Sequence, residues 1–415
     1  MPRNTSDRAQ PAGMVHPVFR MINPVREYAW GSTHAFSELF GWPPSATPQA
    51  EIWMGTHSGA PSEVQLENRD ATMPLREVLR SELPFLLKIL AADKPLSIQA
   101  HPTQAAARAG FESENSAGIE LTAAQRNYKD PHHKPELIVA ITEFSALCGF
   151  RPYAEAAADL RALSDALQKD YPGLEVLLQH VESQNYDAAL EWVLRSGAPE
   201  AGAVAAALGE AAADGVLTDV GLNAVLVDTL QRTTAAFPAD PGVLVATLLN
   251  RIDLRPGEGL FLPAGNLHAY LSGVGVEVMA ASDNVLRGGL TSKHIDVPEL
   301  LAVVQPEVLP LPYCEPVSTQ SGVLNYLPPV EEFQLTRIDF PAAGSAHTLS
   351  PQAAAVAICT AGTVHARAAE DTRTLTLAAG ESVFIDSGEQ ITFSTDQEAQ
   401  IFIAIAQGSP AREDA

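Results

Sequence analysis

Two short patterns in this chain set metal-binding side chain types at strand spacing. Gln99 and His101 are separated by one alanine. In an extended strand such residues point to the same face, so one ion can receive both. Further along, the run His132-His133-Lys134-Pro135-Glu136 leads into an apolar stretch. The proline pushes Lys134 into an extended conformation, which sets Lys134 and Glu136 on one face, a cation beside a carboxylate. His268 follows the tight Pro-Ala-Gly-Asn turn that leaves the segment GLFLP. Gln99, His101, Glu136 and His268 together offer two imidazoles, a carboxylate and an amide oxygen. Zinc accepts imidazole and carboxylate and keeps an open position at catalytic sites; ligand chemistry alone leaves iron and manganese open too. Each piece taken singly has a plainer explanation. A strand histidine is usually a satisfied polar residue, and an isolated Lys–Glu pair at a surface contributes roughly 0–1 kcal/mol.

Just beyond His268, the run from Glu277 to Arg287 brings two acids, Glu277 and Asp283, close in sequence to an arginine. Its first part alternates as a strand, and SDNVLRGG has the composition of a turn. An Arg–Asp ion pair bracing a loop is the plain explanation here.

Elements that hold such groups must bring together strands distant in sequence, and the chain divides into zones that do so. From Met14 to about Pro152, β-rich runs such as Glu63–Leu66 and Leu137–Cys148 are cut by Pro and Gly turns, the spacing of a sandwich or barrel. One helix is expected within it, Thr103 to Phe111, with Pro102 at its first turn. From Tyr153 to Ala236, Ala, Leu, Glu and Gln dominate, and Ala157, Leu160, Leu163 and Leu167 recur at helical intervals. Several short helices packing an apolar face are expected. A short helix around Gly242–Leu249 precedes a return to strands at Asn250. From about Ser318, runs such as FQLTRIDF, AAVAICT and IFIAIA, separated by Gly turns, suggest a second barrel or jelly roll. The expected fold is mainly β with an inserted α-helical domain. Residues 1–14 are expected to be a loose leader, 15–152 and 237–318 the β-rich segments of a sandwich or barrel that would carry the metal ligands, 153–236 the helical insertion, and 319–415 a C-terminal barrel or jelly roll.

Bulk properties narrow the function. A length of 415 residues suits two or three domains. A net charge of −24 argues against general nucleic-acid binding, which needs clustered Lys and Arg. It would also repel an anionic metabolite unless local cations overcame it. The apolar stretch Leu83–Leu90 contains Lys88 and falls short of the roughly 20 residues of a membrane span. Cys148, Cys314 and Cys359 are too few and too scattered for a disulfide framework. Buried free thiols and a reducing cytoplasm are expected.

Several segments together resemble type I mannose-6-phosphate isomerases (phosphomannose isomerases), enzymes of the cupin superfamily. They are NPVREYAWGS at 23–32, EIWMGTHSGAPS at 51–62, LPFLLKILAADKPLSIQAHP at 83–102 and NYKDPHHKPELIVAITEFSALCGFRP at 127–152, with the long run from Pro256 to Leu301. Ser58 departs from a position where such proteins often carry proline. The resemblance implies one zinc per chain bound by Gln99, His101, Glu136 and His268, and reversible interconversion of mannose 6-phosphate and fructose 6-phosphate. It also implies a cupin-like metal-bearing barrel, an inserted helical domain and a second barrel-like domain.

Aldose–ketose isomerisation through an enediolate needs a base near C2, a cation or donor for the developing oxyanion, and a grip on the phosphate. Arg287, which the resemblance places in the active site, stays charged and donates several hydrogen bonds, suiting it to the enediolate or the phosphate. Lys134 and Glu277 are the candidates for proton transfer, with Asp283 assisting ring opening. A lysine base requires burial or neighbouring positive charge to lower its pKa. Lys88, Lys94, Lys134, Arg287 and Lys293 concentrate in the matching segments, and Ser97 adds a hydroxyl on the strand face of Gln99. Trp30 and His57 are candidate substrate contacts, although tryptophans mostly bury. A sugar phosphate is the expected partner, with no nucleic acid and no membrane; a monomer is expected, with a homodimer left open. Two rivals stand beside this reading. The first is another cupin enzyme, an iron-dependent dioxygenase or another sugar-phosphate isomerase; oxygenases typically show two histidines and one carboxylate, against which Gln99 and the cations weigh. A non-catalytic carbohydrate-sensing protein would not need the four ligands together with Arg287.

Overall fold

The computed structural model describes residues 18–66, 71–79, 82–168 and 171–406, so the expected leader, 1–14, lies outside the described residues. The chain is mainly β-sheet with helices and divides into two compact units. One holds the described residues of Met1–Ala91, Val276–Ala281 and Cys314–Ala415; the other holds Ala92–Gly275 and Ser282–Tyr313.

In the first unit, described strands form an antiparallel sheet in which Gln334–Phe340, Ala399–Ile405, Ala355–Ala361 and Ser382–Ile385 are neighbours. Val18–Ile22 continues it, with Val18 opposite Ile385. A second sheet pairs Ala346–Leu349 with Ile391–Ser394, then Thr363–Ala368 and Leu375–Ala378. Alternate residues of the two sheets, including Ile338, Ala357, Ile401, Val364, Leu377 and Phe393, form one buried cluster, as period-two patterning requires. These units cut across the compositional zones. The strand Val18–Ile22 belongs with strands more than three hundred residues later, a pairing that composition does not reveal.

The second unit positions the polar constellation. The first residues of its strand His268–Ala280 pair antiparallel with Phe144–Phe150 and Ile98–Ala100, which in turn pair with Leu249–Leu254 and Leu286–Gly289 respectively. Gly259–Leu262 pairs with Glu136–Ala140, setting Leu262 opposite Glu136. Helices Tyr153–Ala166, Pro172–Glu182, Tyr186–Glu191, Ala198–Ala213 and Ala224–Ala236 occupy the Ala- and Leu-rich zone. Asn185 and Asn223 cap two of them, accepting from Ala188 N and Val225 N, which satisfies first-turn donors. In Tyr153–Ala166 the buried positions are Ala156, Ala157, Leu160, Leu163 and Ser164, one helix face.

That helical layer buries one face of the sheet. Ile98, Ala100, Leu147, Ala269, Leu271 and Leu286 share a single apolar cluster with Leu160, Leu177, Val204 and Leu230. Successive strand residues point to opposite faces, so Gln99, His268 and Arg287 are directed away from it. The strand that carries Arg287 is seated by backbone contact. A Cβ on Gly242 would lie 2.4 Å from Leu290 N, and one on Gly289, at φ +125°, would lie 2.4 Å from Gly242 Cα. Only glycine tolerates such an approach.

After His101 the helix is Gln104–Ser116, longer than the sequence suggested, and Thr103 caps it by accepting from Ala106 N. Pro102 thus precedes the cap instead of occupying the first turn. The three cysteines are buried and free. Among the described residues, no helix is long and apolar enough to cross a membrane.

Candidate metal centre

His101, Glu136 and His268 converge, with ligand atoms all within 4.8 Å of one another. Each arrives differently. His101 follows the strand Ile98–Ala100, Glu136 opens the strand Glu136–Ala140, and His268 opens its own strand opposite Gln99. All three are at most 2% exposed. His268 Nε2 lies 3.3 Å from Glu136 Oε2, and His101 Nε2 lies 3.4 Å from Glu136 Oε1.

Hydrogen bonds on the far side of each ring fix which nitrogen faces inward. The Nδ1–H of His101 donates to the Asn284 carbonyl at 2.8 Å, and that of His268 to the Asn266 carbonyl at 3.0 Å. This tautomer leaves both Nε2 lone pairs aimed at the carboxylate. Burial holds the His101 imidazole down to about 4, against the opposing pull of Glu136 and with the help of Lys134; the ring is neutral at pH 7. Burial alone would push the Glu136 carboxyl up, but the positive charges around it, Lys134 foremost, hold it well below the usual carboxylate range. The bare His101 Nε2 and the ionised Glu136 carboxylate therefore meet with no proton between them. His101 Nε2 and Glu136 Oε2 are buried without a hydrogen-bond partner, an expensive state for polar atoms. A cation resolves it, and two imidazoles with a carboxylate are a donor set that suits zinc. The Gln99 amide lies 3.4 Å from His268 Nε2. Either amide atom can occupy that place, and with the oxygen there Gln99 becomes a fourth donor.

The surroundings are cationic. Lys134 Nζ is 3.0 Å from Glu136 Oε1, and the lysine is buried. Arg287 stands directly opposite Gln99, which in turn is opposite His268, so the three share one row across the strands. Its guanidinium is partly buried, which lowers its pKa, and among the described residues it forms no ion pair. Burial lowers Lys293, and Arg287 adds to that. Lys129 is likewise lowered by burial and senses Arg287 too. Asp283 is exposed, its backbone N–H donating to Asp130 Oδ2 at 2.8 Å. Lys94 is exposed, and Ser97 is half-buried two residues before Gln99.

Four other candidates lie in the first unit. Lys88 Nζ is 2.9 Å from Glu277 Oε2 and 3.4 Å from Glu51 Oε1, all three side chains being buried. Trp53 donates to Glu51 Oε2 at 2.8 Å and presents its ring to Lys88 Nζ at 5.5 Å. Lys88 thus serves two carboxylates here. His57 packs edge-on against Trp53 with ring centroids 4.8 Å apart, and its Nδ1 accepts from Gly59 N. Trp53 is core, clustered with Ala60, Leu86 and Met279, whereas Trp30 is half-buried and stacks on Tyr28. Sequence reasoning missed Asn284 and Asn266, whose carbonyls orient the two imidazoles. A main-chain carbonyl leaves no mark in residue type, and only the turns that contain them hint at it.

The family model for phosphomannose isomerase type I, catalytic domain, matches residues 18–153. Mannose-6-phosphate isomerase of Escherichia coli (strain K12) is 38% identical over 388 residues, covering 89% of this chain and 95% of that protein. A zinc-bound structure of mannose 6-phosphate isomerase aligns with TM-score 0.83 at 34% identity, covering 95% of this chain and all of that one. A point mutant of phosphomannose isomerase from Salmonella typhimurium aligns with TM-score 0.84 at 33% identity and the same coverage. With this identity sustained over nearly the whole length, the chain belongs to the mannose-6-phosphate isomerase (phosphomannose isomerase) family.

Proposed function

We propose that this chain is a zinc-dependent aldose–ketose isomerase that interconverts mannose 6-phosphate and fructose 6-phosphate through an enediolate. The observation that carries the reading is the buried meeting of His101 Nε2, His268 Nε2 and the Glu136 carboxylate. Gln99, His101, Glu136 and His268 would hold one zinc. Bound there, it would supply Lewis acidity toward the carbonyl and hydroxyl oxygens of the sugar.

The protein's own groups do the rest. Arg287 is charged, partly buried and without an ion-pair partner among the described residues, so its donors are available to an enediolate oxygen or the phosphate. Lys134 and Glu277 are the two candidates for moving the proton between C2 and C1. Lys134 stands beside a ligand, 3.0 Å from Glu136, and Glu277 is a buried carboxylate. Asp283 is assigned to ring opening. Lys88, Lys94, Ser97, Lys293, Trp30 and His57 are assigned as substrate contacts. Lys293 and Lys129, both lowered chiefly by burial, each also feel the charge of Arg287, and this grouping of cations supports an anionic ligand in a chain of net charge −24.

The architecture we infer is a cupin-like metal-bearing barrel (15–152 and 237–318), a helical insertion (153–236) and a C-terminal jelly-roll-like module (319–415). The run of helices from Tyr153 to Ala236 supports the insertion, and the two-sheet cluster supports the C-terminal module, which the strand Val18–Ile22 joins from the N-terminal side. We assign a cytoplasmic monomer, to which three free buried thiols are suited.

The test is a coupled assay for fructose 6-phosphate formed from mannose 6-phosphate, before and after chelation and with zinc added back. Activity lost on chelation and restored by zinc is expected. No activity in any metal-loaded form defeats the isomerase reading.

A further inference from the structure

Asn284 is fully buried, and its side-chain amide is enclosed by the backbone of one loop. Its Oδ1 accepts from Lys129 N at 2.7 Å and Asp130 N at 3.3 Å. Its Nδ2 donates to the Asp130 carbonyl at 2.7 Å and the His132 carbonyl at 2.8 Å. The loop returns the contact through the Asp130 carboxylate. Asp130 Oδ1 accepts from the Ser282 hydroxyl and from His132 N, each at 2.9 Å, and Oδ2 accepts from Asp283 N at 2.8 Å. Gln104, three residues after His101, holds the next part: Nε2 donates to the Pro131 carbonyl at 2.7 Å, and Oε1 accepts from His133 N at 3.3 Å. This loop has no regular secondary structure and runs through Lys134 and Pro135 into Glu136.

The main-chain carbonyl of the same Asn284 accepts from His101 Nδ1. One residue therefore touches both arms of the constellation, the His101 ring directly and the Glu136 segment through four bonds to its loop. We propose that Asn284 is a positioning residue that couples the two ligands: its carbonyl sets the tautomer of His101, and its amide sets the approach of Glu136. The chemistry calls for an amide. The loop presents two N–H donors and two carbonyl acceptors, and only a side chain with both an acceptor oxygen and an NH₂ answers all of them. An aspartate would face two carbonyls and the Asp130 carboxylate with negative charge, and an alanine would remove all four bonds, leaving the His132 carbonyl only its contact with the Ser282 hydroxyl at 3.1 Å. The inference rests on the reading of His101 and Glu136 as zinc ligands.

The experiment uses full-length wild type, N284A, N284D and S282A. It measures the zinc dissociation constant by competition with a chromophoric chelator and the absorption spectrum of the cobalt(II)-loaded protein. Circular dichroism and melting of the metal-free protein report the fold. With the metal-free fold retained, N284A and N284D are expected to bind zinc about 10–100-fold more weakly, the usual effect of losing an outer partner, and to alter the cobalt spectrum. S282A, which removes one anchor of Asp130, is expected to shift both in the same direction by less. Where N284A fails to fold, N284D and S282A decide. A wild type that takes up no zinc overturns the metal reading and this one with it. Wild-type affinity and spectrum in the folded variants, beside a zinc-binding wild type, overturn the coupling alone.

Discussion

Arg287 is the direct cross-strand partner of Gln99, which places a partly buried guanidinium beside the ligand row without engaging it in an ion pair among the described residues. A donor placed so, and aimed at charge that develops during reaction, acts chiefly on turnover. Arg287→Ala is expected to lower kcat about 10²–10³-fold, the range for losing one preorganised oxyanion donor, with zinc content unchanged. Steady-state kinetics with metal analysis checks this. Loss of zinc together with activity would instead make Arg287 a support for the centre.

Lys88 and Glu277 are buried at 2.9 Å, and removing one partner of such a pair leaves an uncompensated charge. Lys88→Met alone is expected to destabilise the protein by about 3–5 kcal/mol. Adding Glu277→Gln should recover part of that loss. Denaturant melts of the two single variants and the double variant give the coupling, and strictly additive effects would contradict it.

The proton-transfer candidates separate by kinetics. Glu277→Gln and Lys134→Met each break a buried ion pair, so circular dichroism first establishes that they are folded; in folded protein the one that removes the base should lower kcat about 10²–10⁴-fold and abolish one limb of the pH–rate profile. Near-normal turnover in both variants would remove both from the mechanism.

Acid sensitivity of the metal-free protein follows from His101. Its imidazole titrates at about 4 when folded, against an ordinary value of 6.5. Between these values the unfolded chain binds more protons, so stability rises with pH across that window. The contribution is fully present above pH 6.5 and is lost as pH falls toward 4, amounting to about 3 kcal/mol. Melts of chelated protein between pH 4 and 7.5 should show this slope, and His101→Gln should flatten it. An equal slope in the variant would assign the effect to other groups.

Much of this was legible in the sequence because patterning is local. Ala157, Leu160 and Leu163 announced a helix face, and the Gln99-Ala100-His101 spacing announced a polar strand face backed by apolar neighbours. What stayed hidden depends on distant pairing or on the main chain. Lys88 and Glu277 meet across 189 positions, and Val18 pairs with Ile385; neither partner's type specifies the other. The Asn284 and Asn266 carbonyls would serve equally from many residues. The helix after His101 continues past Phe111 to Ser116 through the polar run Glu112–Ser116, which carries no apolar period to announce it.

The central claim is that one zinc sits among His101, Glu136, His268 and Gln99 and that the isomerase needs it. Anomalous diffraction from zinc-loaded crystals, recorded above and below the zinc absorption edge, tests this most directly. A single strong difference peak bounded by His101 Nε2, His268 Nε2 and the Glu136 carboxylate is predicted. An active protein with no peak there, or with its peak elsewhere, would contradict the account.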